Sequence, residues 1–180
     1  FYGLVVPWLE QNEERYALPL GLCQRLHHSA QADQHKPLLV SVSSDAGKPR
    51  ASALRIGAHY LIVQSEPLCE QALELLAHSL AEQGIVLPGV TGVSEASDCF
   101  ARFWEARTGT QAKLETCQRA YALRELNPLR QPAGSVEPAQ PRHALLIFAG
   151  INKMIAETAS GNQAAWTLQD VSACIHDGVC

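Results

Sequence analysis

The sequence predicts an α/β protein in which helices flank a mostly antiparallel sheet. Three short apolar segments, 37–43, 50–56 and 59–63, are separated by turn residues, which is the pattern of an antiparallel meander. Longer segments on either side carry apolar residues at helical spacing. With 180 residues, of which 47% are hydrophobic and 18% charged, the chain can form one good-sized core, or one core plus a partial second domain.

Charge and composition disfavour several classes of protein. The net charge is −4 and the basic residues are dispersed among acidic ones, so the sequence has no stripe of basic residues that would bind nucleic acid. The longest strongly apolar run, 144–151, is far shorter than the ~18–20 residues of a membrane span. Residues 1–4 lack the basic region of a signal peptide, and the six cysteines contain no CxxC pair. We therefore expect a cytoplasmic protein with reduced thiols and no nucleic-acid or membrane partner.

The N-terminal region 5–28 is predicted to be two helices or one bent helix. Leu18, Leu22 and Leu26 share a helical face, and Pro19 predicts a kink or a new start. Residues 29–36 are polar and predict a loop before the meander.

Two further helices are predicted after the meander. Pro67 favours the first helical position, and Gly84 ends a helix whose apolar stripe is Leu68, Ala72, Leu75, Leu76 and Leu80. A second helix begins with Ser94 as its N-cap and ends at Gly109. Between the two helices we expect a brief strand over 85–87 and a loop over 89–92.

The last third of the chain predicts a strand, a linker and two helices. Residues 111–124 alternate well enough for a long strand or a hairpin arm, and prolines then mark 127–141 as a linker. Beyond it, residues 147, 151, 154 and 155 form a helical stripe. Thr167 opens a last helix in which Asp170 returns a hydrogen bond and Trp166 packs on Val171, and Gly178 ends that helix.

The order of these elements resembles the core of the GNAT acetyltransferase superfamily. Local sequence similarity adds to the resemblance, at Gly89 to Gly92, then Glu95, Phe100, Trp104, Arg107 to Gly109, Gln118, Arg119 and Tyr121 to Leu123. It is similar to bacterial two-part GNAT proteins, in which a degenerate first half precedes the catalytic half. The resemblance implies a GNAT-like domain over 1–126 with a mixed, mostly antiparallel sheet, the linker 127–141, and the incomplete start of a second GNAT domain over 142–180.

The family's phosphate-binding loop has no usable counterpart in this sequence. That loop, Gln/Arg-x-x-Gly-x-Gly/Ala, holds the pyrophosphate of acetyl-CoA on backbone N–H groups at a helix N-terminus. The matching residues are 64–69, where Gln64 fits, but Pro67 and Cys69 replace the small residues and Glu66 adds negative charge. We expect this half to bind no acetyl-CoA, and the corresponding loop of the second half would lie beyond residue 180.

Candidate metal ligands occur in two places. Cys23, His27 and His28 could place a thiol and an imidazole four residues apart on one helix face, a possible metal pair, and Cys174, His176 and Cys180 form a looser set. Two ligands on one helix are too few, and the helix ends within the second set. We therefore expect no metal.

Two further sets of residues are candidate binding sites. Gly89, Gly92 and Ser94 precede or open a helix, in a setting that suits an anion, although the glycines can equally serve a tight turn. Glu157 and Trp166 flank a loop that, by the GNAT resemblance, would border the acceptor site. The alternative is an exposed acid and a residue that packs at a helix start.

The functional expectation is an acetyl-CoA-dependent N-acetyltransferase in its full-length form, with this chain carrying mainly the non-catalytic half. Its partner would be an amine acceptor, either a small molecule or a protein, and no catalytic residue is assigned. A non-catalytic binding or dimerisation module on a GNAT-like scaffold is the alternative. An open sheet edge would favour pairing of two copies.

Overall fold

The structure, a computed structural model, describes residues 1–28, 37–128, 133–158, 166–176 and 178. The chain divides into two compact units, Phe1–Ala122 and Leu123–Cys180, each of which is described by itself. The expected loop over 29–36 lies outside the described residues. The predicted limits of the linker and of a second GNAT domain stay predictions.

The first unit is a mixed α/β structure, as predicted. Its described elements, in chain order, are α1 (Tyr2–Leu9), a 3₁₀ turn (Glu10–Asn12), α2 (Glu13–His28), β1 (Leu38–Ser43), β2 (Pro49–Arg55), β3 (Leu61–Gln64), α3 (Glu70–Glu82), β4 (Val90–Gly92) and α4 (Ser94–Thr108).

The described strands form one four-stranded sheet in the order β1-β2-β3-β4. Strands β1, β2 and β3 pair antiparallel in sequence, which confirms the predicted meander. The first turn closes where the Gly47 amide donates to the Ser44 carbonyl at 2.8 Å. Strand β4 pairs with β3 in parallel, so these two strands end at the same edge of the sheet.

Helices cover both faces of the sheet. Because side chains alternate along a strand, Ala51, Ala53, Leu61 and Val63 point to one face. There they form the main core with buried residues of α3 and α4: Ala72, Leu73, Leu76, Ala77, Leu80, Ala96, Cys99 and Phe100. On the opposite face, Leu54 and Ile62 pack against Cys23 and residues of α1.

The predicted bend in the N-terminal helices is present, but its centre is not Pro19. Helix α2 leaves helical geometry at Tyr16, with φ −115° and ψ 20°. Proline has no amide hydrogen to donate to the carbonyl four residues earlier, and its ring crowds that carbonyl. For Pro19 this carbonyl belongs to Arg15, the residue before Tyr16. The distortion therefore precedes the proline.

Helix α3 begins at Glu70 rather than at Pro67, with Cys69 as its N-cap. The predicted stripe is correct for Ala72, Leu76 and Leu80, whereas Leu68 and Leu75 are 45% and 54% exposed. Because the helix starts three residues later, Leu68 lies before it.

The predicted strand over 85–87 is absent, and the strand lies over Val90–Gly92 instead. Gly84 has a φ of +67°, and the Ile85 amide donates to the Leu80 carbonyl at 3.1 Å. This is the hydrogen bond of a Schellman cap, in which the apolar residue after the glycine packs back on the helix. Ile85 thus belongs to the helix cap, whereas Val86 is 82% exposed.

Helix α4 ends at Gly109, with a φ of +71°, as predicted. Its N-cap is Val93, not Ser94, and the side chain at the cap makes no hydrogen bond. The Val93 carbonyl accepts from the amides of Ala96 and Ser97 at 3.0 and 2.9 Å.

The prediction of a strand over 111–124 is wrong. These residues are exposed and adopt no regular structure, with Leu114 and Tyr121 at 74% and 86% exposure. Alternation of side chains favours a strand only where a neighbouring strand supplies hydrogen bonds, and no described strand pairs with this segment.

The second unit contains two described helices, α5 (Ala144–Thr158) and α6 (Leu168–His176), with a 3₁₀ turn at Pro141–His143. The predicted cap of α6 is correct: Asp170 Oδ2 accepts from the Thr167 amide at 2.8 Å and from its hydroxyl at 2.6 Å. Gly178 has a φ of +67°. Across the described parts of both units, no helix has the length and apolar composition of a bilayer span.

Candidate functional site

A cleft of about 220 Å³ lies where the parallel strands β3 and β4 end. Segment 65–68 follows β3, segment 93–96 follows β4, and Arg15 of α2 completes the walls. In open α/β sheets, ligands bind beyond the carboxyl ends of parallel strands, because loops diverge there and leave a crevice. We name this the β3–β4 cleft.

The two strands approach closely at the cleft because of Gly92. A Cβ atom at this position would lie 2.3 Å from the Val63 carbonyl oxygen, and the φ of Gly92 is +152°. Both the contact and the backbone angle exclude a larger side chain. Gly92 is thus required for the parallel pair itself.

Glu66 is held from three sides. Its Oε2 accepts from the Tyr16 hydroxyl at 2.9 Å and lies 3.4 Å from Arg15 Nε, while its carbonyl accepts from Trp8 Nε1 at 3.3 Å. Arg15 also pairs with Glu95 Oε2 at 3.5 Å, so one guanidinium bridges the two walls of the cleft. Two carboxylates against one guanidinium leave the cleft acidic.

Tyr16 is a neutral hydrogen-bond donor in this cluster. Burial, followed by the hydrogen bond to Glu66, raises the pKa of its hydroxyl well above the ordinary value. A phenol with so high a pKa keeps its proton at neutral pH. Tyr16 therefore orients the Glu66 carboxylate and does not act as a base.

In the turn after β3, one backbone amide donates to a side chain. The Cys69 amide donates to Ser65 Oγ at 2.9 Å, and the Ser65 hydroxyl donates to the Arg50 carbonyl at 2.8 Å. Pro67 has no amide hydrogen. Two of the features that the sequence predicts to oppose a pyrophosphate group, Pro67 and the Glu66 carboxylate, therefore lie in the wall of the cleft.

Gln64, the residue that matches the GNAT-type loop in the predicted resemblance, is buried and does not line the cleft. It is 1% exposed, and its Oε1 accepts from the Ser52 hydroxyl at 2.6 Å. Its Nε2 has no hydrogen-bond partner in the described part of the chain. A buried amide donor without a partner is unfavourable by about 1–3 kcal/mol.

Of the three candidates for an anion loop, Gly92 and Ser94 lie beside the cleft, whereas Gly89 lies at the opposite end of the β3–β4 pair, and packing explains both glycines. A Cβ atom on Gly89 would lie 3.1 Å from the Tyr60 ring, and its carbonyl accepts from the Leu61 amide at 3.0 Å. Gly92 faces Val63, and Ser94 is the first residue of α4. These contacts favour the turn alternative, and an anion contact stays a prediction.

The predicted acceptor contacts, Glu157 and Trp166, both belong to the second unit. Glu157 Oε1 lies 3.9 Å from Lys153 Nζ, one helical turn away. The Trp166 amide donates to Asn152 Oδ1 at 3.0 Å, and its carbonyl accepts from Asn152 Nδ2 at 3.1 Å. The residues between them, 159–165, lie outside the described part. The role of Glu157 and Trp166 at an acceptor site stays a prediction.

Of the candidate metal ligands, the structure describes the side chains of Cys23, His27, Cys174 and His176. Cys23 is buried in the core, and the His27 ring contacts the Tyr2 ring at 5.0 Å. His28's side chain and Cys180 lie outside what the structure describes. Within the described ranges, no three His, Cys, Asp or Glu side chains come together in an arrangement that could hold a metal ion.

Sequence reasoning missed Arg15, Tyr16 and Trp8 as site residues. Tyr16 and Trp8 lie 50 and 58 residues from Glu66 in the chain, and no local spacing connects any of the three to it. The sequence distinguished Glu66 only as a departure from a loop pattern, yet it is the residue on which these side chains converge.

No family model, curated protein or solved structure matches the chain.

Proposed function

We propose that this chain carries the first, non-catalytic half of an acetyl-CoA-dependent N-acetyltransferase, and that transfer occurs in the full-length protein. One observation carries the proposal: an antiparallel meander leads into a parallel β3–β4 pair, with a cleft where both strands end. This is the arrangement that the GNAT resemblance implies for a core that receives a ligand at the end of its central strands.

The β3–β4 cleft is unsuited to acetyl-CoA. Pro67 removes a backbone donor, Ser65 Oγ accepts the Cys69 amide, and the carboxylates of Glu66 and Glu95 repel phosphate. Coenzyme A is polyanionic, so an acidic cleft opposes it. We assign no step of acetyl transfer to residues of this chain.

The acidic cleft instead suits the acceptor. A protonated amine is attracted by the two carboxylates, and Tyr16 and Arg15 fix the position of Glu66 before the amine arrives. In this proposal the chain contributes to capture of the acceptor, while the groups that activate the thioester belong to the second half.

A non-catalytic binding or dimerisation module is the second candidate. Two observations favour this module. Leu114 and Tyr121 are exposed, and β4 is the last strand in the order of the sheet. Exposed apolar side chains and an unpaired strand edge are features by which two chains associate.

Calorimetry and an activity assay separate the two candidates. We expect no binding of acetyl-CoA to residues 1–180 and no release of coenzyme A by them in the presence of primary amines. The product of the full gene should release coenzyme A with at least one amine. Micromolar binding of acetyl-CoA to residues 1–180 would overturn the interpretation of residues 64–69.

Matched variants test the acceptor role. In the active full-length protein, Glu95→Gln should raise the KM for the amine several-fold and leave the KM for acetyl-CoA unchanged. Glu74→Gln is the control, because Glu74 is exposed on α3 and lies outside the cleft. A full-length product with no activity, together with a dimer of residues 1–180 in light scattering, would favour the module.

A further inference from the structure

A second cleft, of about 390 Å³, lies between α1 and the start of β2. One wall is apolar and consists of Pro7, Trp8, Pro49 and Pro67. Proline rings have few internal degrees of freedom, so this wall needs little ordering when a ligand arrives. We name it the α1–β2 cleft.

The Trp8 indole in this wall is fixed in place. Its Nε1 donates to the Glu66 carbonyl at 3.3 Å, and its ring stacks on Tyr16 with centroids 6.3 Å apart. With the polar edge engaged, the indole offers an apolar surface to the α1–β2 cleft.

The polar wall carries two cations, Lys48 and Arg50. Arg50 is exposed at a register shift of β2, between Pro49, which pairs with Ser43, and Ala51, which pairs with Val42. The Arg50 carbonyl accepts from the Ser65 hydroxyl at 2.8 Å, so Arg50 lies near Glu66, which follows Ser65 in the chain. The Glu66 carboxylate nevertheless pairs with Arg15 and Tyr16, and neither Lys48 nor Arg50 forms an ion pair with a carboxylate in the described ranges.

The α1–β2 cleft and the β3–β4 cleft therefore have opposite charge. Lys48 and Arg50 outnumber Glu66 in the former, whereas Glu66 and Glu95 outnumber Arg15 in the latter. A guanidinium and an ammonium beside a rigid apolar wall suit a compact anion with an apolar body.

We propose that the α1–β2 cleft binds a small organic carboxylate, with its apolar body against Trp8 and the prolines and its carboxylate on Arg50 and Lys48. The cleft volume matches that of small-molecule sites, which begin at roughly 300 Å³. Glu66 and Pro67 line both clefts, but Lys48 and Arg50 line the α1–β2 cleft alone, so binding of a carboxylate to these two cations is tested independently of the acetyl-CoA experiments above.

The probe is 3-phenylpropionate, with 3-phenylpropionamide as the neutral match of the same shape. Binding is followed by NMR of the tryptophan indole N–H groups in ¹⁵N-labelled protein. The Trp8 resonance should shift and saturate, with a Kd in the millimolar range, roughly what a fragment of this size achieves. The resonances of Trp104 and Trp166 should stay in place, and the amide should bind at least about tenfold more weakly.

Three variants complete the test, each checked for an unchanged melting temperature. Arg50→Gln should weaken binding of the carboxylate about tenfold, whereas Arg50→Lys should retain most of it because the charge is kept. Arg25→Gln, an exposed change on α2, should have no effect. Equal binding of acid and amide, an unchanged Kd in Arg50→Gln, or a Trp8 resonance that never shifts would each overturn the proposal.

Discussion

Gly92 faces the carbonyl oxygen of Val63 so closely that a Cβ atom would lie 2.3 Å from it. Real Cβ atoms do not approach an oxygen to that distance, so the parallel β3–β4 pair depends on this residue. Because the β3–β4 cleft opens where the two strands end, the same contact sets its width. A side chain at position 92 would separate the strands at the cleft.

Gly92→Ala is expected to destabilise the first unit by about 3 kcal/mol, since it combines an unfavourable backbone angle with a steric clash. Urea unfolding in a Trp166→Phe background measures it, because the remaining tryptophans, Trp8 and Trp104, belong to the first unit. Gly47→Ala is the control: Gly47 has a φ of +75°, but nothing lies within 4 Å of a Cβ there. It should cost about 1 kcal/mol, and equal losses in both variants would contradict a role for the Val63 contact.

Tyr16→Phe should reduce stability by about 1 kcal/mol at neutral pH, since Glu66 loses a hydrogen bond from a neutral donor. The hydroxyl lies 2.9 Å from Glu66 Oε2 and the phenyl ring of the variant fills the same space. Tyr60→Phe is the control, because the Tyr60 hydroxyl bonds Glu115, remote from the cleft.

The Tyr16 variant also has a predicted pH dependence. The pKa of Tyr16 is raised in the folded protein by burial and by Glu66, so above pH ~10 the unfolded chain releases this proton while the folded chain keeps it. The stability that this group contributes is complete below pH ~10 and declines as the pH rises further. The wild type should therefore lose more stability than Tyr16→Phe between neutral pH and pH ~11, and parallel curves of unfolding free energy against pH would contradict this.

Local signals predicted the elements that depend on neighbours in the sequence. Gly109 ends α4, and Asp170 caps α6 through Thr167, because each device is complete within a few residues. The prediction of a strand at 85–87 was wrong, because an apolar run after a glycine is compatible with either a Schellman cap or a buried strand.

The candidate site depends on contacts that no local pattern records. Arg15 and Glu66 meet because a bent α2 passes over the end of β3, and their separation in the sequence carries no periodic signal. The segment 111–124 illustrates the converse. Its alternation satisfies a local rule, but a strand forms only where another strand supplies hydrogen bonds.

The buried pair Ser52 and Gln64 should behave as a unit. Ser52→Ala removes the donor to Gln64 Oε1, and the buried carbonyl oxygen left behind should reduce stability by about 1–3 kcal/mol. Gln64→Met alone should change stability little, because the loss of the acceptor for the Ser52 hydroxyl is offset by removal of the unpartnered Nε2. In the double variant Ser52→Ala with Gln64→Met, both polar groups and the unpartnered Nε2 are gone, so stability should return close to that of the wild type. Additive losses in urea unfolding would show that the two side chains do not interact.

Thr167→Ala should lower the helical population of α6, because the Thr167 hydroxyl and amide both donate to Asp170 Oδ2 and the Asp170 amide donates back to Thr167 Oγ1. The loss of such a cap costs a helix about 1 kcal/mol. The ¹³Cα chemical shifts of α6 measure this population. Ser172→Ala is the control: it removes a hydroxyl that donates within the helix to the Leu168 carbonyl, and it should leave the shifts unchanged.

The hydrogen bonds from Thr167 hold the pKa of Asp170 below its ordinary value, so the cap is complete above pH ~4 and is lost as the pH falls further. Wild-type shifts should therefore approach those of Thr167→Ala in acid, and a constant difference between the two proteins down to pH ~2 would show that the carboxylate is not part of the cap.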